Sequence, residues 1–129
     1  MKVLIVDDST LIRQRIVDAL KKKNKNLEIE SASTAMEANQ KFYSFHPDVV
    51  TFDVSLPDES GISLLEKFKG SNPSLKTLVF TNYPLSQIKK VCLELGADHF
   101  FYKANDFEAA VNIISEFEKN SSITVQSSK

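Results

Sequence analysis

Two adjacent carboxylates, Asp7 and Asp8, stand at the mouth of a short apolar run, Val3-Leu4-Ile5-Val6. Acids held about 4 Å apart repel by roughly 4 kcal/mol at an effective dielectric near 20. A hard divalent cation relieves that repulsion, because Asp oxygens are its natural ligands. A plainer reading has Asp8 or Ser9 capping the helix that follows, with Asp7 solvated in a loop. The same design recurs along the chain, however. Val49-Val50-Thr51-Phe52 ends in Asp53, Leu78-Val79-Phe80 ends in Thr81, and the run Ala97 to Tyr102 ends at Lys103. Acids, a hydroxyl and an ammonium, each at the end of an apolar run, form a set able to hold a cation and an anionic group together.

Such a set works only if the fold gathers it. Val3 to Val6 is apolar throughout, and three of the four residues are β-branched, as expected of a strand covered on both faces. Ile12, Ile16, Ala19 and Leu20 then recur at helical spacing. The run Lys21-Lys22-Lys23-Asn24 suits a helix C-terminus, with Asn24 able to take a left-handed cap. Leu27 to Ala32 alternates as an edge strand. Ser33 or Thr34 caps a second helix, Glu37 completes a capping box after Thr34, and Pro47 stops it. Asp48 to Asp53 is the third strand, and Leu56 to Gly61 a loop. Ile62, Leu65 and Phe68 mark a third helix that closes near Gly70 to Pro73. Leu75 to Phe80 gives a fourth strand, and Ile88 to Leu95 a fourth helix with Gly96 as its C-cap. Ala97 to Tyr102 gives a fifth strand. Phe107, Ala110, Val111, Ile114 and Phe117 line a last helix. Strands alternating with helices predict an α/β fold, a doubly wound parallel sheet with right-handed crossovers and helices on both faces. Ligands in such sheets bind beyond the carboxyl ends of the strands. Asp7, Asp8, Asp53, Thr81 and Lys103 therefore converge on one edge.

Composition narrows the function classes. The chain has 129 residues, a formal net charge of -1 and one cysteine, Cys92. One domain with a single core is expected. No charge excess draws it to nucleic acid or membrane. No internal disulfide can form, and a reducing, cytoplasmic setting is expected, with no leader peptide and no membrane span. Cys92 is read as a core helix residue, and His46 and His99 lack partners at ligand spacing.

The chain resembles the receiver domains of response regulators, the CheY-like superfamily, over roughly residues 1–120. The matching residues are Leu4-Ile5-Val6-Asp7-Asp8, then Val50-Thr51-Phe52-Asp53 followed by Leu56-Pro57 and Gly61, then Val79-Phe80-Thr81, and Lys103 after Gly96 to Tyr102. The resemblance implies a flavodoxin-like (βα)5 sandwich with sheet order 2-1-3-4-5. It implies a two-component or phosphorelay role in which Asp53 accepts a phosphoryl group from a histidine kinase or phosphotransfer protein. Mg²⁺ would be held by Asp7, Asp8, Asp53 and the Ser55 backbone carbonyl. Thr81 and Lys103 would contact the phosphoryl oxygens, and Thr81 with Phe100 would form the switch. The chemistry agrees: a carboxylate can form an acyl phosphate, Lys is a compact point charge for phosphate, and phosphorylation can order a loop.

Further expectations follow from the resemblance. The chain is a signalling receiver that catalyses only its own phosphotransfer and autodephosphorylation. Residues 121–129 form a polar tail with no output domain, so a downstream protein docks on the face of the fourth helix, fifth strand and fifth helix. The chain is a monomer or a phosphorylation-dependent dimer, and single-domain receivers serve in chemotaxis, in phosphorelays or as diffusible adaptors, among which the sequence does not choose. Two positions depart from the family. Ala104 replaces the usual proline after Lys103, and Asn82 replaces the usual small residue after Thr81; Asn82 and Tyr83 are expected to restrict access to the acyl phosphate. Those departures keep open a phosphorylation-independent interaction domain on the same fold. A metal-dependent hydrolase would want an Asp-x-Asp spacing that Asp7-Asp8 lacks. A nucleotide cradle would want a glycine in the first loop.

Overall fold

A computed structural model describes residues 1–127, with side chains up to Glu118. Ten elements alternate along the chain: β1 (Lys2–Val6), α1 (Thr10–Lys23), β2 (Glu28–Ala32), α2 (Ala35–Phe45), β3 (Val49–Phe52), α3 (Gly61–Ser71), β4 (Lys76–Thr81), α4 (Ser86–Glu94), β5 (His99–Tyr102) and α5 (Phe107–Ser127). The strands pair in parallel in the order β2-β1-β3-β4-β5. This is the doubly wound, flavodoxin-like order that the sequence reading anticipates.

Period-two alternation sends successive side chains of each strand to opposite faces. Leu4, Val6, Val50, Phe52, Val79 and Phe100 pack with α2, α3 and α4 residues on one face, where the Phe42 and Phe68 rings stack with centroids 4.0 Å apart. Val3, Ile5, Val49, Leu78 and Phe80 pack with α1 and α5 on the other. β1 and β3 are covered on both sides, which is why they read as continuous apolar runs. β2 lies at an edge and buries only Ala32 fully.

The helix ends follow their caps. Ser9 Oγ accepts the Ile12 N–H at the start of α1, and Thr34 Oγ1 accepts the Glu37 N–H at the start of α2. Glu37 Oε1 returns to the Ser33 N–H at 2.7 Å, one residue before the cap. Two expectations are corrected. Asn24 ends α1 in an extended conformation, φ -152°, with its N–H on the Leu20 carbonyl; the left-handed cap occurs instead at His46, φ 54°. α5 runs on through Ser127, so residues 121–127 continue the helix rather than forming a tail after it; residues 128 and 129 lie outside the described residues. Among the described residues, no helix is long and apolar enough to cross a membrane.

Candidate functional site

The three central site residues share one device. Each is the first residue past its strand, and its N–H still bonds the neighbouring strand. Asp7 N–H donates to Ala32 O, Asp53 N–H to Val6 O, and Lys103 N–H to Thr81 O, all at 3.0 Å. The ladder therefore fixes their backbones, and the parallel sheet aims all three side chains off one edge. Thr81, the last residue of β4, joins them from the adjacent position.

The side chains meet. Asp7, Asp53 and Thr81 are buried, and Asp8 is exposed. Carboxylate oxygens of Asp7, Asp8 and Asp53 lie within 4.8 Å of one another. Lys103 Nζ donates to Asp53 Oδ2 at 2.7 Å and pairs with Asp7 Oδ2 at 2.6 Å. The Thr81 hydroxyl donates to Asp53 Oδ1 at 2.7 Å, and that oxygen also accepts the Ser55 N–H at 3.1 Å. Asp7 Oδ1 accepts the Ser9 N–H at 2.9 Å. Every oxygen of the two buried acids thus has a partner, as groups taken out of water require.

Burial pushes the Asp7 carboxyl above its ordinary value, and the hydrogen bonds from Lys103 and Ser9 only partly oppose this. Burial also acts to lower the Lys103 ammonium, but the hydrogen bonds to Asp53 and Asp7 outweigh it and the net shift is upward. Lys103 stays charged, and one ammonium faces two buried carboxylates with a third at the rim. The cluster keeps an excess of negative charge, which fits a hard divalent cation with oxygen ligands.

The loop after Asp53 is held by features that sequence reasoning missed. A Cβ placed on Gly61 would stand 1.9 Å from the Asp53 carbonyl oxygen. Only a residue without a side chain lets α3 begin so close to the end of β3. The Gly61 N–H also donates to Val54 O at 2.9 Å. Asp58, read as a turn residue, reaches across to the start of α2: its two oxygens accept the N–H groups of Ala35 at 2.8 Å and Met36 at 3.0 Å. Arg13 Nη1 donates to the Asp7 carbonyl at 2.5 Å and bridges α1 to the acidic edge.

The remaining expected residues fall as follows. Ser55 is exposed beside Asp53. Phe100 is buried and meets Tyr102 edge-on. The described peptide bonds are all trans, the one before Ala104 included. Asn82 turns its carboxamide oxygen to the Ala104 N–H, and Tyr83 packs against the core on the α2, α3 and α4 side.

Comparison with known proteins covers this same architecture. The family model for the response regulator receiver domain matches residues 3–115. The chain is 38% identical over 109 residues to a cyclic di-GMP phosphodiesterase of Thermotoga maritima, covering 84% of this chain and 28% of that protein. It is 34% identical over 103 residues to the virulence transcriptional regulatory protein PhoP of Salmonella typhimurium, covering 80% of this chain and 45% of that one. It therefore spans less than half the length of these two curated relatives. The crystal structure of a CheY-like response regulator receiver domain protein from Methanospirillum hungatei superposes with a TM-score of 0.84 at 29% identity, over 95% of this chain and 97% of that one. Family match, relatives and fold coincide over the stretch that builds the acidic edge, and the chain belongs to the response regulator receiver domain family, whose members are signalling proteins that interact with histidine kinases and downstream effectors.

Proposed function

We propose that this chain is the phosphoryl-accepting switch of a two-component or phosphorelay system, with Asp53 as the acceptor. The observation that carries this reading is the Asp53 carboxylate lodged between the Thr81 hydroxyl and the Lys103 ammonium, each at 2.7 Å, with two further acids within reach of one cation. An Asp53 oxygen attacks the phosphorus of a phosphohistidine donor. The new O–P bond replaces the donor P–N bond, whose electron pair stays on the leaving imidazole. Lys103 and Thr81 are already aimed at the oxygens of Asp53 and pass to phosphoryl oxygens as these arrive. Their part is positioning and electrostatic stabilisation, which dominate phosphoryl transfer. Asp7, Asp8, Asp53 and the Ser55 carbonyl would hold Mg²⁺, which when bound offsets charge on the transferring group.

The added charge then biases a two-state element. Thr81 and Phe100 occupy neighbouring strands that end at the site. The output surface in this reading is α4, β5 and α5, and the exposed Leu85, Val91 and Leu93 of the α4 region give a partner protein apolar contact there.

Intact mass measured after incubation with Mg²⁺ and acetyl phosphate tests the reading, with Asp53→Ala alongside. One added phosphoryl group is expected in the native chain, and none without Mg²⁺ or in the variant. No adduct, together with no Mg²⁺-dependent response to a phosphate mimic, would instead favour a phosphorylation-independent interaction domain.

A further inference from the structure

The two departures from the family pattern touch each other. The paired ladder of β4 and β5 ends at Thr81 and Tyr102. One more backbone bond follows, from the Lys103 N–H to Thr81 O at 3.0 Å. There the β4 chain turns away, and the Tyr83 N–H closes on Thr81 Oγ1 at 3.2 Å. The next N–H of the β5 side, on Ala104, is accepted by Asn82 Oδ1 at 3.0 Å. A side-chain oxygen thus extends the ladder by one step after the backbone has left it. On the other side of Lys103, Asp106 closes the turn: Oδ2 accepts the Tyr102 N–H and its own N–H donates to Tyr102 O, both at 2.9 Å. Proline at position 104 would fix its own φ and would have no N–H to offer. Alanine fixes nothing but has the donor.

We infer that Asn82 is a positioning residue for Lys103: its carboxamide clasps the Ala104 N–H and supplies, by a hydrogen bond between loops, the rigidity that a proline ring would otherwise give. The inference rests on the reading that Lys103 serves the phosphoryl group. Asn82 and Ala104 are both exposed, so the clasp adds little to global stability and acts on the placement of the Lys103 backbone. A lysine has four rotatable bonds between backbone and charge. Holding the backbone is what confines its Nζ to the two carboxylates.

The test uses the full chain with Mg²⁺ and acetyl phosphate, comparing Asn82→Ala, Ala104→Pro and the double variant across a donor concentration series. Asn82→Ala is expected to lower the maximal rate of phosphoryl acceptance roughly two- to tenfold, the range one hydrogen bond allows. Mg²⁺ affinity, set by the acids, stays unchanged. In the Ala104→Pro background, where no N–H remains, adding Asn82→Ala has no further effect; that non-additivity marks action through Ala104. Amide exchange at Ala104, measured in Asn82→Ala alone, is expected to accelerate. An equal or faster acceptance rate in Asn82→Ala overturns the inference, since a residue that merely covers the site would release the reaction when cut back. The same fold-loss in both backgrounds, a parallel fall in Mg²⁺ affinity, or unchanged amide exchange also overturns it. If the native chain takes up no phosphoryl group at all, the receiver reading falls as well. If the native chain is labelled and only the Asn82 effect is missing, the receiver reading stands and the clasp alone is lost.

Discussion

At the scale of single residues, the site is a charge cluster out of balance by design of its strand ends. The Lys103 side chain is 10% exposed and faces Asp7 and Asp53 at 3% and 7%. Removing one member of a buried pair leaves its partners uncompensated, a loss of about 3–5 kcal/mol. Lys103→Met keeps the stem length and removes the charge, so it is expected to be less stable at pH 7 by that order. The loss shrinks as pH falls, because the Asp7 carboxyl, which burial holds above its ordinary value, then takes up a proton and no longer faces Lys103 as a charge. Urea midpoints of both proteins at pH 7 and pH 4 check this, and an equal loss at both values would contradict it. On the proposed reading, phosphoryl acceptance is expected to fall in the same variant.

At the scale of elements, the loop between β3 and α3 is tied to the start of α2 rather than left to itself. The N–H groups of Ala35 and Met36, unpaired within a helix's first turn, hold the Asp58 carboxyl below its ordinary value of 3.8. The direction fixes the sign of the pH effect. A carboxyl depressed in the folded state contributes stability that is present above its unfolded value and lost as pH falls through the folded one. Asp58→Asn is therefore expected to be less stable than the native chain at neutral pH, with the difference fading as the solution is taken below pH 3.8. Paired denaturant titrations at the two ends of that range measure it; a difference that grows on acidification would show that Asp58 acts otherwise. Much of the element layout was legible in advance, because alternation, helical spacing and caps at Ser9 and Thr34 are local signals. Asp58 was not: its partners lie 22 and 23 residues back in the chain, and no local pattern points to them. The same holds for Asn82 and Ala104, also 22 apart, each visible as a departure but not as a pair. Gly61 is legible as a turn residue and as part of the resemblance, but the reason for it is the closeness of a backbone that sequence does not show. The length of α5 is not legible in the sequence, because Ser121 and Ser122 interrupt the apolar spacing that marks a helix.

At the scale of the whole molecule, two cores sandwich one sheet, and the sheet is where both meet the site. Phe68 of α3 is fully buried, stacks on Phe42 of α2, and lies 5.7 Å from the ring of Phe52, the residue before Asp53. Phe68→Ala is expected to cost about 3–5 kcal/mol, as aromatic deletions in packed cores do. Its thermal midpoint against the native chain gives the number, and a change under about 1 kcal/mol would mean the core collapses around the gap. The convergence of Asp7, Asp53, Thr81 and Lys103 was legible at this scale, because parallel order alone places all their strand ends on one edge.

The contact between Gly61 and the Asp53 carbonyl has a mechanical consequence. A gap too narrow for a methyl group sets the first turn of α3 directly against the main chain of Asp53. A side chain at position 61 would therefore force α3 and the end of β3 apart. On the proposed reading, the charge of a phosphoryl group would be met first on the opposite flank, where Thr81 and Lys103 reach Asp53 through side-chain bonds alone. In that reading, the missing side chain of Gly61 bears on the direction in which a signal would leave the site.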